Sequence, residues 1–447
     1  MRFFLALYWI IGFFVIYNSY EKKSHGGKRM IYEFTFDNFR SYKNEATIDF
    51  TAKPINEFES SLIDVKGDIS LLPVCAVYGP NGGGKSSVLM ALYSLRNIVI
   101  EPIIQLAYMK KKNEQLGETT ITQLKEGLVD RHTVSTFYKW DEEGKERPTN
   151  YSILFQMENS KYRYDISQHN DLILEENLYL ETADEVEVIF ERDAEGVYLC
   201  DELEGLDIEN MNESLPLLSY ISMFKNLEII DRAMSFFLQI RVMNFDKPNL
   251  DREILVKQIE IDKERICNVI QSMGIDICDI EVEYKEDGSV KEIYTKHKLS
   301  NGSEKKLRLS EESSGTRKII SIIPALLKGI DQNCLFLIDE LDAKLHPLLL
   351  RKIIELFTDK EINKGAAQML FTSHDMTTMS KEVFRRDEIW FSAINGYDES
   401  VLYSLVDFRK EGGSKPRNDE NYSKQYLEGR YGADPYFRQL KNWEVVD

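Results

Sequence analysis

Eight residues, Gly79-Pro80-Asn81-Gly82-Gly83-Gly84-Lys85-Ser86, restrict the fold of this chain more than any other stretch. They fit G-x-x-x-x-G-K-[ST] at every fixed position, and the flanks are the ones such a loop needs. Leu71 to Tyr78 reads as a buried strand, and Ser87 to Leu95 as an amphipathic helix. A glycine-rich turn between strand and helix lets successive backbone N–H groups converge on phosphate oxygens at the positive end of the helix dipole. Lys85 is then placed to reach the β- and γ-phosphates of a nucleotide, and the Ser86 hydroxyl to ligate Mg2+. The expected cradle is Gly79, Pro80, Asn81, Gly82, Gly83, Gly84, Lys85, Ser86 and Ser87. A chance glycine-rich turn is the alternative, and the correct strand and helix on either side argue against it.

Three later stretches supply the groups such a loop lacks. Cys334 to Glu340 is an apolar run ending in two carboxylates. Asp339 would hold the magnesium through its water shell, and Glu340, beside it at the strand end, would polarise an attacking water. Gln368 to Asp375 is a strand pattern that delivers His374, an imidazole able to bond a γ-phosphate. Leu309 to Lys318 feeds an apolar helix over Ile319 to Leu327, and small residues at a helix start expose N–H groups to an anion. Alone, the Ser313-Ser314-Gly315-Thr316 turn is unspecific; its place ahead of the acidic strand makes Ser313 and Gly315 candidates for nucleotide contact.

The 447 residues are enough for roughly two to three domains. A net charge of −19 excludes a surface that is basic throughout. Any nucleic-acid contact would need a local patch such as Lys110-Lys111-Lys112, which reads more simply as a solvated helix face. Cys75, Cys200, Cys267, Cys278 and Cys334 form no C-x-x-C pair, which implies a reducing, cytoplasmic compartment without a disulfide framework or zinc hook.

Phe3 to Tyr17 is apolar but shorter than the ~20 residues of a spanning helix. It reads as a short membrane anchor, a signal peptide, or sequence upstream of the working protein. Gly26-Gly27-Lys28-Arg29 can be encoded by a purine-rich string resembling a ribosome-binding site, so translation is expected to start at Met30, with the anchor as the other reading.

From Met30, Ile31 to Phe36 alternates as a strand with Ala46 to Phe50 as its partner. The middle of the chain offers a strand pair, Tyr151 to Gln156 with Lys161 to Ile166, and an acidic stretch from Glu181 to Glu213. Helices are expected over Tyr220 to Ile240 and Asp251 to Met273, the second with a stripe of Leu255, Ile259, Ile266 and Ile270. Ile280 to Tyr284 and Val290 to Tyr294 form a hairpin pattern. The expected divisions are an N-terminal extension (1–29), a first head segment (30–100), an insertion (101–285), a second head segment (286–410) and a tail (411–447).

Between the first two strands, Asp37-Asn38-Phe39-Arg40-Ser41-Tyr42 resembles the N-F-[RK]-[SN]-[YF] turn of the SMC/RecF group of ATPases. The basic residue of that turn lies near the nucleotide phosphates in the group, which implies the same place for Arg40. Ser313 and Gly315 resemble the serine and second glycine of the ABC signature S-G-G-Q, from which Ser314 and Thr316 depart. Leu341 to Pro347 resembles the D-loop, with the L-H-P ending of OLD-type and RecF-like ATPases. Tyr426 to Pro435 is similar to a Y-L-x-G-R-[YF]-G-A-x-P tail. Together the ordered motifs resemble the AbiLi/RloA-type ATP-binding proteins of bacteria.

That resemblance implies an α/β P-loop NTPase of ABC/SMC-head type with a large α+β insertion, using ATP and Mg2+ and releasing ADP and phosphate. It also implies a homodimer joined through ATP, and a separate effector, nuclease or toxin, in anti-phage (abortive infection) defence. No Q-loop glutamine is evident, since Gln156 falls on a strand and Leu215 to Phe224 contains none. An OLD-type nuclease would need a TOPRIM domain, for which the residues after His374 are too few. A RecF-like repair ATPase would need a basic groove, which the acidic composition disfavours.

Overall fold

The structure is a computed structural model that describes residues 28–65, 69–112, 137–182, 185–209, 211–244, 252–395, 397–409, 416 and 420–433. The apolar segment 3–17, the side chains of Lys110 to Lys112, and Asp434-Pro435 of the tail motif lie outside the described residues.

The chain opens with β1 (Arg29–Asp37), β2 (Ala46–Asp49), β3 (Ile63–Asp64), β4 (Ser70–Leu71) and β5 (Val74–Tyr78), which leads into α1 (Lys85–Lys112). A short α2 (Glu142–Glu146) precedes an antiparallel run: β6 (Thr149–Met157), β7 (Ser160–His169), β8 (Leu172–Glu181), β9 (Val186–Arg192) and β10 (Val197–Leu199). Then come α3 (Leu217–Phe224), α4 (Glu228–Leu238), β11 (Ile240–Asn244), α5 (Arg252–Ser272) and the strands β12 (Asp279–Tyr284), β13 (Val290–Lys298) and β14 (Glu304–Arg308). The last part holds α6 (Ser314–Asp331), β15 (Leu335–Asp339), α7 (Pro347–Thr358), β16 (Gln368–Thr372), β17 (Ile389–Ile394), β18 (Ser400–Ser404) and α8 (Tyr422–Leu427).

Two sheets organise these elements. A six-stranded sheet runs β11-β15-β16-β5-β17-β18, parallel except for β18. A seven-stranded antiparallel sheet runs β10-β9-β8-β7-β6-β1-β2. Every residue of β5 is buried, as expected for a central parallel strand covered on both faces. Cys75 and Val77 face one core, together with Leu335, Leu337 and Leu370 of neighbouring strands; α1, α3, α4 and the antiparallel sheet close it. Val74, Ala76 and Tyr78 face the other core, with Phe336, Ile338, Met369 and Phe371, under α5, α6 and α7. The period-2 alternation of each strand is thus divided between two apolar layers.

Several sequence expectations are corrected. The strand before the glycine-rich loop begins at Val74, while Ser70–Leu71 pairs separately with Ile63–Asp64. The helix after the loop is longer than Ser87 to Leu95, and between Ser87 and Leu106 it is largely buried rather than amphipathic. The helix expected over Tyr220 to Ile240 is two helices and the start of a strand. Leu217, Leu218, Tyr220 and Ile221 form one apolar stripe, and Ile230, Ala233, Met234 and Phe237 another. In one continuous helix these stripes would lie on opposite faces, so the break at Lys225 to Leu227 rephases the second to meet the same core. The stripe of α5 is as expected, but its seven-residue gap between Ile259 and Ile266 spans a kink at Asp262 (φ −142°, ψ 42°). The segment expected as an insertion, 101–285, is joined to the rest of the chain through its strands. Its β6 pairs with β1 and its β11 with β15, so both sheets run across the expected boundaries.

Candidate nucleotide site

The loop between β5 and α1 takes its shape from glycine. Gly79, Gly82 and Gly84 have φ of 153°, 79° and 97°. A Cβ at Gly79 would lie 2.1 Å from the Ser392 carbonyl oxygen, and one at Gly84 would lie 2.5 Å from Ser400 Oγ. The loop is also held from behind. Ser392 Oγ donates to the Gly83 carbonyl (2.6 Å) and shares a 2.7 Å hydrogen bond with the buried Tyr42 hydroxyl. Backbone N–H groups at the start of α1 are therefore fixed around a cavity of about 590 Å³. Arg40, Ser41, Pro80, Asn81, Gly82, Gly84, Lys85, Ser86, Ser87, Lys139, Trp140, Glu340 and His374 line it.

Lys85 is 6% exposed, and its ammonium donates to the carbonyls of Gly79 and Pro80, each at 3.0 Å. Burial pulls its pKa below the usual lysine value, opposed by the nearby charges of Asp339, Glu340 and Asp342. A phosphate chain would offset that desolvation with negative charge at short range.

The acidic strand β15 is separated from β5 by β16, and the residue at the end of β16 closes the gap. Thr372 Oγ1 donates to Asp339 Oδ1 (2.6 Å) and accepts the Glu340 backbone N–H (2.8 Å). Ser86 Oγ donates to the same Asp339 oxygen at 2.9 Å. A hydroxyl and a carboxylate at this distance are hard oxygen donors suited to Mg2+, which keeps most of its shell as water and phosphate and needs few protein ligands. No group of three or more His, Cys, Asp or Glu side chains able to hold a metal occurs among the described residues.

Glu340 and His374 are exposed and meet at the cavity from the ends of β15 and β16. Glu340 adopts φ 48°, a left-handed turn that ends the strand. The His374 backbone N–H is anchored by Asp342 Oδ1 at 3.1 Å. Arg40, also left-handed (φ 53°), reaches the cavity from the turn after β1.

Ser313 and Gly315 are not among the residues lining this cavity. They open α6, where Ser313 Oγ accepts the Thr316 N–H (3.1 Å), and the Cβ position of Gly315 lies 3.7 Å from the Lys344 carbonyl of the expected D-loop. Gln156 lies on β6 and hydrogen bonds with the Tyr32 hydroxyl and the Glu158 carbonyl, away from the site. Four contributors escaped the sequence reading. Thr372 sat inside a recognised strand pattern, Ser392 has no motif around it, and Lys139 and Trp140 come from a segment far along the chain from the loop.

Sheet order and loop geometry define an α/β fold of P-loop type, with the acidic strand β15 one strand away from β5 and its glycine-rich loop. The profile described as "AAA domain, putative AbiEii toxin, Type IV TA system" matches residues 209–380, a span that contains α6, Asp339, Glu340 and His374 but begins after the glycine-rich loop. A comparison with curated proteins gives no match. Among solved structures the chain is similar to the SMC head domain from Thermotoga maritima, at 12% identity and a TM-score of 0.39, with 84% of this chain and 98% of that one covered. It is also similar to an Smc head with an extended coiled coil bound to the C-terminal domain of ScpA from Pyrococcus furiosus, at 12% identity and a TM-score of 0.37, covering 84% and 96%.

Proposed function

We propose that the chain is a cytoplasmic ATPase that binds ATP with Mg2+, hydrolyses it to ADP and phosphate, and acts as the sensor, switch or scaffold of a bacterial anti-phage system of the AbiLi/RloA type. The observation that carries the ATPase reading is the convergence of Ser86 and Asp339 at 2.9 Å beside a cavity lined by Lys85, Glu340 and His374. Lys85 and the N–H groups at the start of α1 would hold the β- and γ-phosphates, with Arg40 adding a further cation. Ser86 and Asp339 would hold Mg2+, which when bound would supply charge neutralisation at the phosphates. Glu340 takes a proton from the water that attacks the γ-phosphorus, the bond from that phosphorus to the bridging oxygen breaks, and His374 bonds the departing phosphoryl oxygens.

The dimer is part of the same reading. Ser313 and Gly315 open outward from α6 without lining their own chain's cavity, an arrangement suited to the γ-phosphate of a second copy. The defence role draws on the ordered motifs and on the toxin-system description of the matching profile. The tail suits partner recognition at its surface. Tyr422, Tyr426 and Tyr431 are buried against the core, whereas Arg430 projects outward and pairs with Glu428 at 2.9 Å.

The test is ATP binding and phosphate release by the purified full chain. Lys85→Ala should abolish binding. Glu340→Gln should preserve it and slow hydrolysis by about 10²- to 10⁴-fold. Hydrolysis by Glu340→Gln at the wild-type rate would remove Glu340 as the base. Tagged purification from the native host should recover a nuclease or toxin; recovery of DNA-repair proteins instead would overturn the defence reading.

A further inference from the structure

The cavity is lined by more than phosphate-binding groups. Trp140, an indole 70% exposed to solvent, lines it together with Lys139. We propose that Trp140 is the platform on which the base of the bound nucleotide stacks, an inference that rests on the nucleotide reading of this site.

Trp140 is held in place by its neighbours rather than by packing of its own ring. The fully buried Asn38, in the same turn as Arg40, accepts the Tyr138 N–H through Oδ1 (3.1 Å). Its amide nitrogen donates to the carbonyls of Gly144 (2.8 Å), Arg147 (2.9 Å) and Pro148 (3.1 Å). Asp141 caps α2 by accepting the Gly144 N–H (2.8 Å) and pairs with Lys43 at 2.7 Å. Gly144 is pressed so closely to this loop that a Cβ there would lie 2.3 Å from the Tyr138 carbonyl oxygen. The buried Asn38 and the capping Asp141 thus fix both sides of Trp140, whose ring lines the cavity.

That combination leaves an apolar face at the cavity that a bound ring would cover. An exposed indole on a fixed loop gives up apolar contact that an ordinary core would use, and a volume of 590 Å³ falls in the range of small-molecule sites. The phosphate end of the cavity is built from backbone N–H groups and Lys85. A ligand that places its phosphates there and carries a flat heterocycle would fill both ends. Stacking on an indole tolerates any base, since each has a π face, so affinity is expected from Trp140 and little discrimination between adenine and guanine.

Binding of ATP, GTP and inorganic tripolyphosphate to the full chain, its Trp140→Ala variant and its Trp140→Phe variant tests this. Trp140→Ala should weaken ATP and GTP about tenfold and Trp140→Phe by less, with tripolyphosphate bound equally by all three. ATP, but not tripolyphosphate, should quench the fluorescence component that Trp140→Phe removes. Equal losses for ATP and tripolyphosphate, or weakened self-association with unchanged ATP affinity, would overturn the base platform. A wild-type chain that binds neither ATP nor tripolyphosphate removes the nucleotide reading and this inference together. One that binds both, with Trp140→Ala distinguishing nothing, removes the inference alone.

Discussion

Two helices in this molecule begin in a turn of glycine and serine, and they are built in opposite ways. The turn before α1 is gripped from outside: Ser392, Tyr42, Ser41 and Ser400 stand against it, and its glycines occupy backbone regions that side chains avoid. The turn before α6 is closed by its own Ser313, and Gly315 has an ordinary φ with no neighbour nearer than 3.7 Å to its Cβ position. Both ends present N–H groups with a positive dipole. Only the first has the lysine, hydroxyl and carboxylates needed to hold a nucleotide on its own chain. The difference teaches that a helix N-terminus becomes a binding site through what surrounds it, and that the role proposed for α6 needs surroundings that a second chain would supply.

Paired glycine substitutions give the largest contrast. Gly79→Ala places a methyl 2.1 Å from a backbone oxygen that cannot move aside, and should cost more than about 3 kcal/mol or prevent folding. Gly315→Ala meets no such obstacle and gains helix propensity, so its unfolding free energy in urea should stay within about 1 kcal/mol of wild type. Similar losses for both would show that α6 is gripped as tightly as α1, and the contrast would fail.

Mixing defective chains probes the role proposed for α6. Lys85→Ala removes the cradle, and Gly315→Asp puts a negative charge where the γ-phosphate of a second chain would lie. Each alone should be inactive. In a mixed dimer one site carries both defects and the other neither, so equal mixing should recover roughly a quarter of wild-type hydrolysis. If chains demonstrably exchange and no hydrolysis returns, α6 does not act on its partner's nucleotide.

What could be read in the sequence follows from how locally each feature is built. The glycine-rich loop, the acidic end of β15 and the histidine after β16 are strand-to-turn units whose residues are near neighbours in the chain, so spacing alone placed them. The pairing of β11 with β15 was not legible. Ile240 continues an apolar pattern that reads as helix, and only the neighbouring Leu335–Asp339 strand decides otherwise. Trp140 was harder still. It is positioned through Asn38, about a hundred residues earlier in the chain, and a lone tryptophan in a polar stretch carries no periodic signal.

The remaining expected effect belongs to the gripped side and is smallest when read over a single pH unit. Glu388 precedes β17, the strand whose Ser392 supports Gly83, and its carbonyl accepts the Ala76 N–H of β5 (2.8 Å). Its carboxyl is fully buried. One oxygen accepts the Arg385 N–H (2.8 Å), the other has no hydrogen-bond partner, and burial pushes its pKa up to about 8. Arg385, Asp387 and Glu57 face it; Arg385 is held bidentately by Asp387, so it does not neutralise Glu388. The native state therefore favours the protonated acid. Its stabilising contribution is complete below the ordinary glutamate pKa and is lost as pH rises toward about 8. Glu388→Gln keeps the shape and cannot ionise. Its stability should exceed that of wild type by a margin that grows by at most about 1.4 kcal/mol per pH unit between about pH 5 and about pH 8, then levels. Urea midpoints of both proteins across that range measure it. A margin that does not change with pH would mean that Glu388 titrates as it does in the unfolded chain, and the support behind the loop would be free of any buried proton.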